Sequence, residues 1–369
     1  MNLTIAKEHL INGLQAVQNV VNVRTTLPIL SNVLIKADGD RIEFTATDLD
    51  VTVSSSVEAK VKKGGSTTVP VKKLFGIIRE LNNPEIEIEV DDKNVCSVRS
   101  GASFYKINGL PAEEFPPLPK FKEDKKVILP QDKMRGMLKK TSFAISNDES
   151  RYVLNGIFIS LKEHKLTMVA TDGRRLALAD EEVDLSEKSQ GEFIIPSKAV
   201  GELNRLLLDK GDLELRYSEN QASFTLKDDK GHSVLIISKL IEGNYPNYRQ
   251  VIPAEAKERI ALVREEFLHA LRRAEIMTSD KANSVKLSFT KNNLAITANS
   301  PEIGEARETL AINYKGKDMA IAFNPKYMID PLNALSEEEV FLELIDELSP
   351  GVFKINGPFL YVVMPMRLS

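Results

Sequence analysis

The feature of this sequence that most constrains its fold is a pattern that occurs three times. Three segments carry helical periodicity: KEHLINGLQAVQNVV (7–21), QDKMRGMLKKTSFAI (131–145) and REEFLHALRRAEIMT (264–278). Leu10, Leu14 and Val17 align with Met134, Leu138 and Thr141, and with Phe267, Leu271 and Ala274. Steps of four and three keep each trio on one helix face. Thr141 is the polar exception. Alternating strand patterns follow each helix and end in related phrases: FTATDLDVTV (44–53), TMVATDGRRLAL (167–178) and LAITANSPEIGEA (294–306). In these, Asp48, Asp172 and Asn299 align at spacings of 124 and 127.

Next come Pro70, Pro196 and Pro325, spaced by 126 and 129. Proline suits the first turn of a helix, where its missing N–H is not needed, so each is expected to open a second helix. Pro331 lies inside the third of these, which predicts a kink or an early stop. Each unit closes on alternating charged and apolar residues: EIEIEV (85–90), LELRY (213–217) and VFLEL (340–344). That is the pattern of half-buried strands. Two Pro-rich stretches, 111–126 and 242–259, suit extended linkers between units. Coincidence could explain any one alignment; the same order three times points to true repetition. The expectation is an α+β chain of three similar domains at 1–125, 126–254 and 255–369.

Composition narrows the class. Apolar residues make up 42% and charged residues 28% of 369, which suits a globular protein with a full core. Cys96 is the single cysteine, so no intramolecular disulfide can form and a reducing compartment is favoured. MNLTIAKEHLINGLQ lacks the apolar core of a signal peptide, and no apolar run approaches the ~20 residues of a membrane span. The expectation is a cytoplasmic protein with no membrane partner.

A net charge of −4 argues against a simple basic DNA-coating protein, but its distribution matters more than its sum. The six expected helical segments (4–21, 68–81, 131–146, 196–210, 262–277 and 324–335) hold 15 basic and 9 acidic residues, which leaves −10 on the rest of the chain. Helices sharing one surface would offer positive charge to phosphate. The plain alternative is that Lys and Arg favour helices.

Catalytic signatures are missing from the sequence. His9, His164, His232 and His269 share no short metal-ligand spacing, and His269 reads as a surface residue. Gly64-Gly65-Ser66 lacks the Gly-Lys-Ser/Thr of a phosphate loop and reads as a hairpin turn. There is no Gly-x-Ser-x-Gly nucleophile motif. Cys96 sits in the strand-like NVCSVRS as a small apolar residue. Asp48 and Asp50, two apart at a strand end, could approach one metal, but no third ligand is evident and a solvated turn fits better. The reading is a non-enzyme without cofactor or metal. A repeat-built protein scaffold, and an enzyme whose site carries no recognisable motif, are the competing classes.

Six phrases carry a resemblance to a known family: RTTLPILSNV (24–33), RYVLNG (151–156), VATDGRRLA (169–177), GNYPNYRQVIP (243–253), NALSEEEV (333–340) and YVVMPMRL (361–368). Along essentially its whole length the chain resembles the bacterial DNA sliding clamp, the beta subunit of DNA polymerase III. The resemblance implies three similar domains, each with two helices on one side and sheets on the other. It implies two chains joined head to tail in a ring, with helices lining the hole around double-stranded DNA. It also implies a groove for short peptide motifs of replicative polymerase, clamp loader and repair proteins.

By position, that groove takes Leu154, Thr171, Gly173, Arg174, Arg175 and Leu176 from the second domain, and Pro246 and Val251 from the linker. The third domain gives Asn324, Tyr327, Leu348, Val362, Met364, Pro365, Met366 and Arg367. Leu, Val, Pro and Met suit an apolar groove, and methionine adapts to varied ligands. Arg175 and Arg367 are expected to bind carboxylates or carbonyls of the peptide. For DNA the resemblance points to Arg24, Asp148, Arg151 and Tyr152, and more weakly to Lys72, Lys73, Arg79, Lys198 and Arg205. The dimer contact is expected to bring Ile276 and Met277 against Lys73 and Leu110. Three departures stand out: Gln250 where arginine is frequent, Arg174 for a frequent histidine, and a terminal Ser369 beyond Met-Arg-Leu.

Overall fold

The computed structural model describes residues 1–21, 27–119, 121, 125–228, 232–280 and 283–367. The first repeat contains β1 (Asn2–Ala6), α1 (Lys7–Val17), β2 (Asn32–Asp38), β3 (Arg41–Thr47), β4 (Val51–Glu58), β5 (Lys60–Lys63), β6 (Gly65–Pro70), α2 (Val71–Glu80), β7 (Glu85–Val90), β8 (Val95–Ser100) and β9 (Ser103–Asn108). The second contains β10 (Lys126–Pro130), α3 (Gln131–Thr141), β11 (Gly156–Lys162), β12 (Lys165–Thr171), β13 (Arg175–Glu182), β14 (Gly191–Pro196), α4 (Ser197–Leu206), β15 (Asp212–Tyr217), β16 (Gln221–Lys227) and β17 (Ser233–Lys239). The third contains β18 (Glu258–Val263), α5 (Arg264–Glu275), β19 (Val285–Thr290), β20 (Asn293–Ser300), β21 (Gly304–Ala311), β22 (Met319–Phe323), α6 (Pro325–Ala334), β23 (Glu339–Leu344), β24 (Gly351–Lys354) and β25 (Phe359–Val363).

Two compact units organise these elements. One comprises Met1–Arg135, Asp184–Gln190 and Lys198–Leu240; the other comprises Gly136–Val183, Gly191–Ser197 and Ile241–Ser369. The first unit holds a five-stranded sheet, β5-β1-β7-β8-β9, and an eight-stranded sheet, β10-β15-β16-β17-β4-β3-β2-β6. The second holds an eight-stranded sheet, β14-β11-β12-β13-β25-β24-β23-β18, and a four-stranded sheet, β21-β20-β19-β22. The strand pairs within these sheets are antiparallel. Each eight-stranded sheet runs through a junction between repeats, by β17 pairing with β4 in one and β25 with β13 in the other.

All nine residues of the expected helix face are fully buried, Thr141 included. The Thr141 hydroxyl donates to the Met137 carbonyl one turn back at 2.9 Å, which lets a polar side chain occupy a core position. In the first unit α1 packs on β3, β4 and α2, and in the second α5 packs on α6, β20 and β21. Gly13 sets how close α1 comes: a Cβ there would lie 2.7 Å from the Phe44 ring. β7 alternates exposed and buried residues without exception. The first helices stop three or four residues short of the expected 21, 145 and 278, at Val17, Thr141 and Glu275.

Three expectations need correction. Pro70 and Pro196 do not lie in their helices; they end β6 and β14, paired with Asn32 and Gly156. Both strands are sheet edges, where a residue without an N–H is tolerated. Pro325 alone occupies the first turn, behind the Asn324 cap. Gly64-Gly65-Ser66 is no hairpin turn, since β5 and β6 belong to different sheets and the chain crosses between them there. The linkers are also less extended than expected: Ala112–Glu114 and Tyr248–Val251 form short 3-10 turns.

Pro331 neither breaks nor stops α6, which continues to Ala334. Proline at 331 deprives the Tyr327 carbonyl of its helical donor. The Tyr361 hydroxyl, from β25, donates to that carbonyl at 2.6 Å and replaces the missing bond. Burial pushes the Tyr361 phenol above its usual range, so it stays a donor at any ordinary pH. Tyr361→Phe is therefore expected to cost about 1–3 kcal/mol, the penalty of a stranded buried acceptor. In a Pro331→Ala background the restored N–H should reduce that cost. A denaturant-unfolding double-mutant cycle measures both, and a cost unchanged by Pro331→Ala would refute the assignment.

Candidate functional site

The expected groove residues all belong to the second unit. They are organised around the turn from β12 to β13. There the Thr171 hydroxyl accepts from the Gly173 N–H at 3.1 Å and donates to the Arg175 carbonyl at 2.6 Å. Asp172 Oδ1 accepts from the N–H groups of Arg174 and Arg175, at 2.9 and 3.1 Å. Gly173 has φ +85°, and a Cβ there would come within 2.6 Å of an Arg151 guanidinium nitrogen. The first unit makes the same turn with Thr47 and Asp48, and tolerates Leu49 at φ 80°. Asn299, aligned with these aspartates, has a different role: β20 and β21 stay paired as far as Ser300 and Gly304, so Asn299 is a strand residue.

Arg175 follows the turn with its side chain 7% exposed. Its Nε donates to Asp172 Oδ2 at 3.0 Å, its Nη1 to Asp330 Oδ2 at 2.6 Å and its Nη2 to the Phe143 carbonyl at 2.7 Å. Its guanidinium also lies 4.5 Å from the centre of the Tyr327 ring. Burial opposes this charge, but the hydrogen bond to Asp330 and the Asp172 and Asp330 carboxylates outweigh it and hold the guanidinium above its ordinary range. Arg175 thus spends three of its donors on the chain itself, which ties down a side chain whose type suggested a free hand for peptide carboxylates. Asp330 and Tyr361, which complete this cluster, escaped the sequence reading. Their only signal was polarity on a helix face and in an apolar strand.

Residues 364–366 are tied down on both sides. The Met364 N–H donates to the Arg174 carbonyl at 2.9 Å and the Met366 N–H to the Ala322 carbonyl at 2.7 Å. Pro365 lies between them without an N–H. The segment therefore spans from the turn just before β13 of one sheet to β22 of the other. Leu176 and Val362 form a buried floor with Val169, Tyr248 and Val352. Tyr245 stacks on Phe158 beside it, 5.0 Å between centroids. Four of the large apolar side chains expected at the groove are exposed: Met364 at 44%, Met366 at 39%, Val251 at 49% and Leu348 at 82%. Asp346 holds Leu348 in place by accepting from the Leu348 and Ser349 N–H groups.

The remaining residues divide clearly. Asn324 caps α6 by accepting from the Lys326 N–H at 2.9 Å. Leu154 is buried at the end of a 3-10 turn, Glu149–Leu154, and that turn reaches the site through Arg151, which donates to the Asp172 carbonyl at 3.1 Å. Pro246, Gln250, Arg174 and Arg367 are exposed; Ser369 lies outside the described residues.

The cations expected at DNA behave unevenly. Arg24 lies outside the described residues. Lys72, Lys73 and Arg79 are exposed on α2, and Arg79 contacts the neighbouring Glu80. Lys198 and Arg205 are instead engaged within the first unit. Lys198 donates to the Val20 carbonyl at 3.1 Å and to the Asp48 carboxylate. Arg205 donates to the carbonyls of Gln15 at 3.0 Å and Ala16 at 2.6 Å, and pairs with Glu202. A cation at the end of α1 satisfies carbonyls that the helix leaves open. Asp148 caps its turn and pairs with Arg151 at 3.3 Å; hydrogen bonds from Ser150 hold its carboxyl below the usual range. Tyr152 is 58% exposed.

Other helix cations are also engaged: Arg264 with the Glu337 and Leu332 carbonyls, Arg273 with Glu308, and Lys140 with Glu337. The helical surplus is therefore only partly available to phosphate. Ile276 is 73% exposed, while Met277 and Leu110 are half-buried. Among the described residues no three His, Cys, Asp or Glu side chains are grouped to hold a metal. Asp48 and Asp50 point into separate ion pairs, with Lys198 and Lys239. The buried Cys96 thiol is pushed up to about 12 by desolvation, far from a reactive thiolate.

Comparison with known proteins covers the chain from end to end. Residues 1–119, 128–247 and 249–367 match the family models for the N-terminal, central and C-terminal domains of the DNA polymerase III beta subunit. A beta sliding clamp of Chlamydia pneumoniae is 35% identical over 368 residues, covering 100% of this chain and 99% of the relative. One of Bacillus subtilis is 32% identical over 383 residues, covering 100% of both. The crystal structure of a Bartonella birtlesii DnaN sliding clamp bound to griselimycin superimposes with a TM-score of 0.94 at 35% identity, covering 100% of both chains.

The Arg175 cluster generates a sharp expectation. Arg175→Met leaves Asp172 and Asp330, 17% and 16% exposed, without their common partner. Removing one member of such a buried pair costs about 3–5 kcal/mol. Arg367→Ala, at an exposed end, should leave stability within about 0.5 kcal/mol. Denaturant unfolding of the two variants distinguishes them; equal stabilities would show that Arg175 is not the keystone.

Proposed function

The chain belongs to the DNA polymerase III beta subunit family, and on that basis we propose that it is a DNA polymerase processivity clamp, a homodimeric ring that encircles duplex DNA and slides along it. It is a non-catalytic protein of three clamp-fold domains, which we place at 1–125, 126–254 and 255–369. Its helices line the hole and its sheets form the outer wall. It acts in the cytoplasm, where bacterial chromosomal DNA is copied; among the described residues no helix is long and apolar enough to cross a membrane.

One observation carries the dimer. Inside the chain, the last strand of a repeat pairs with the fourth strand of the repeat before it: β17 with β4 and β25 with β13. By the same rule β9 needs a fourth strand from a preceding repeat, and β21 needs a last strand from a following one. Both are edges of their sheets, and β9 carries exposed Phe104 and Tyr105. A second copy supplies both partners at once, head to tail, and closes both of these edges. Ile276, Met277, Lys73 and Leu110 flank this contact.

The groove above Leu176 and Val362 takes short peptide motifs of polymerase, clamp loader and repair proteins. Its floor and its rim of Met364, Met366, Val251 and Leu348 suit an apolar anchor followed by an adaptable contact. Deleting Met366 to Ser369 should weaken binding of a peptide with glutamine, leucine and an aromatic by roughly 2 kcal/mol or more. Calorimetry showing unchanged affinity in a folded truncation would defeat this placement.

Retention on DNA tests the whole proposal. A chain of net charge −4 gives few phosphate neutralisations, and such binding is lost as salt rises. A closed ring is held by topology. Clamp loaded by its loader onto circular DNA should survive high salt, and a single double-strand cut should release it. Equal retention on circular DNA and on linear DNA with free ends would rule out encirclement.

A further inference from the structure

Two of the three exposed cations of α2, Lys72 and Arg79, have half-buried, engaged counterparts inside the chain. β6 and β14 feed α2 and α4 in the same register, with Pro70 and Pro196 as the last paired residues. Position for position, Lys72 therefore matches Lys198 and Arg79 matches Arg205. α1 and α5 also begin in register, Lys7 matching Arg264, so Gln15, Ala16 and Val20 match Arg272, Arg273 and Met277. In the first unit Lys198 and Arg205 clamp the end of α1 through the carbonyls of Val20, Gln15 and Ala16.

The corresponding surfaces of α2 and α5 are both open. α4 buries Ala199, Glu202 and Leu203 on its clamp side, whereas the matching Lys73, Gly76 and Ile77 of α2 are exposed or half-exposed. Val20 is fully buried, whereas Met277 is partly open beside the 73% exposed Ile276. One helix thus has clamping cations without a helix end to hold, and the other has a helix end without clamping cations.

We infer that Lys72 and Arg79 of one copy clamp the end of α5 in a second copy, donating to the carbonyls of Met277, Arg272 and Arg273. The inference rests on the head-to-tail dimer proposed above and assigns these two cations to subunit closure, where their position on α2 had suggested DNA. Lys198 and Arg205 show the geometry required, with two cations on one helix reaching successive carbonyls at the end of another. The third repeat has Tyr327 and Ala334 at the two matching positions, so this clamp belongs to the first and second repeats only.

The test is the dimer dissociation constant, measured by sedimentation without DNA. Lys72→Ala with Arg79→Ala should raise it about tenfold or more, the scale of losing charged interface hydrogen bonds. Arg79→Lys should recover part of the loss, since it keeps a donor at the position. Lys198→Ala with Arg205→Ala serves as the internal comparison: thermal stability should fall while the dissociation constant stays near wild type. Circular dichroism confirms that each variant folds. An unchanged dissociation constant in a folded Lys72→Ala, Arg79→Ala variant overturns the inference and leaves the dimer standing; reduced DNA affinity in that same variant would then make the pair phosphate contacts. A wild-type chain that stays monomeric at micromolar concentration overturns the dimer and the inference together.

Discussion

Antiparallel pairing between the last strand of one repeat and the fourth strand of the repeat before it is the constraint on which the rest of this structure depends. It joins β17 to β4 and β25 to β13, and so makes two eight-stranded sheets out of elements far apart in sequence. A strand edge is a row of unpaired backbone donors and acceptors, and leaving it open invites uncontrolled association. Repetition resolves this internally twice and leaves one edge of each kind. The same pairing also brings Leu176 beside Val362 and the Arg174 carbonyl beside the Met364 N–H, so the floor and one wall of the proposed groove are products of the junction.

The two internal junctions use a cation differently. Around Asp48 the cation comes from the second helix of the next repeat, Lys198; around Asp172 it comes from the same turn, Arg175. Each also reaches a backbone carbonyl just beyond a first helix, Val20 or Phe143. With arginine supplied locally, position 327 in the third repeat no longer has to be cationic, and its tyrosine ring lies against the guanidinium instead. Lys239 and Met364 follow the same logic. Their N–H groups donate to Asp50 and Arg174 alike, at 2.9 Å, but Lys239 is paired with Asp50 while Met364 stands open. The proposed groove thus lies where one junction has replaced a surface ion pair with exposed methionine.

Much of the fold was legible because it rests on periodicity. The nine face residues of α1, α3 and α5 are buried as their spacing predicts, and the alternation of EIEIEV is that of β7. What stayed hidden was pairing between distant residues. Nothing local marks Tyr361 as the donor that lets α6 run through Pro331, since the bond joins residues 34 apart. Prolines that read as helix openers proved to be strand ends, because an edge strand forgives a missing N–H as readily as a first helical turn does. In the site, residue type gave Arg175 a ligand's role, and only its burial and three internal acceptors reveal a structural one. The exposed rim was reached through family resemblance; a lone Leu348 or Met366 in sequence carries no sign of its exposure.

Charge shows the same division between pattern and placement. The expected helical segments carry a surplus of basic residues, which by itself suggests a surface made for phosphate. Yet Lys198, Arg205, Arg264, Arg273 and Lys140 are bound to carbonyls or carboxylates of the chain itself. A cation held at a helix end still contributes to the field around it, but the donors it spends on the chain are not available to fix a phosphate at one position. For a conventional DNA-binding protein that would be a defect, because affinity grows with the number of phosphates neutralised. For the proposed ring it is an advantage. Retention comes from closure, so every strong local bond to DNA would only raise the barrier to sliding. A protein of this kind does best when its cations hold the protein together and leave the duplex loosely attended, and that is the distribution the helix ends of this chain display.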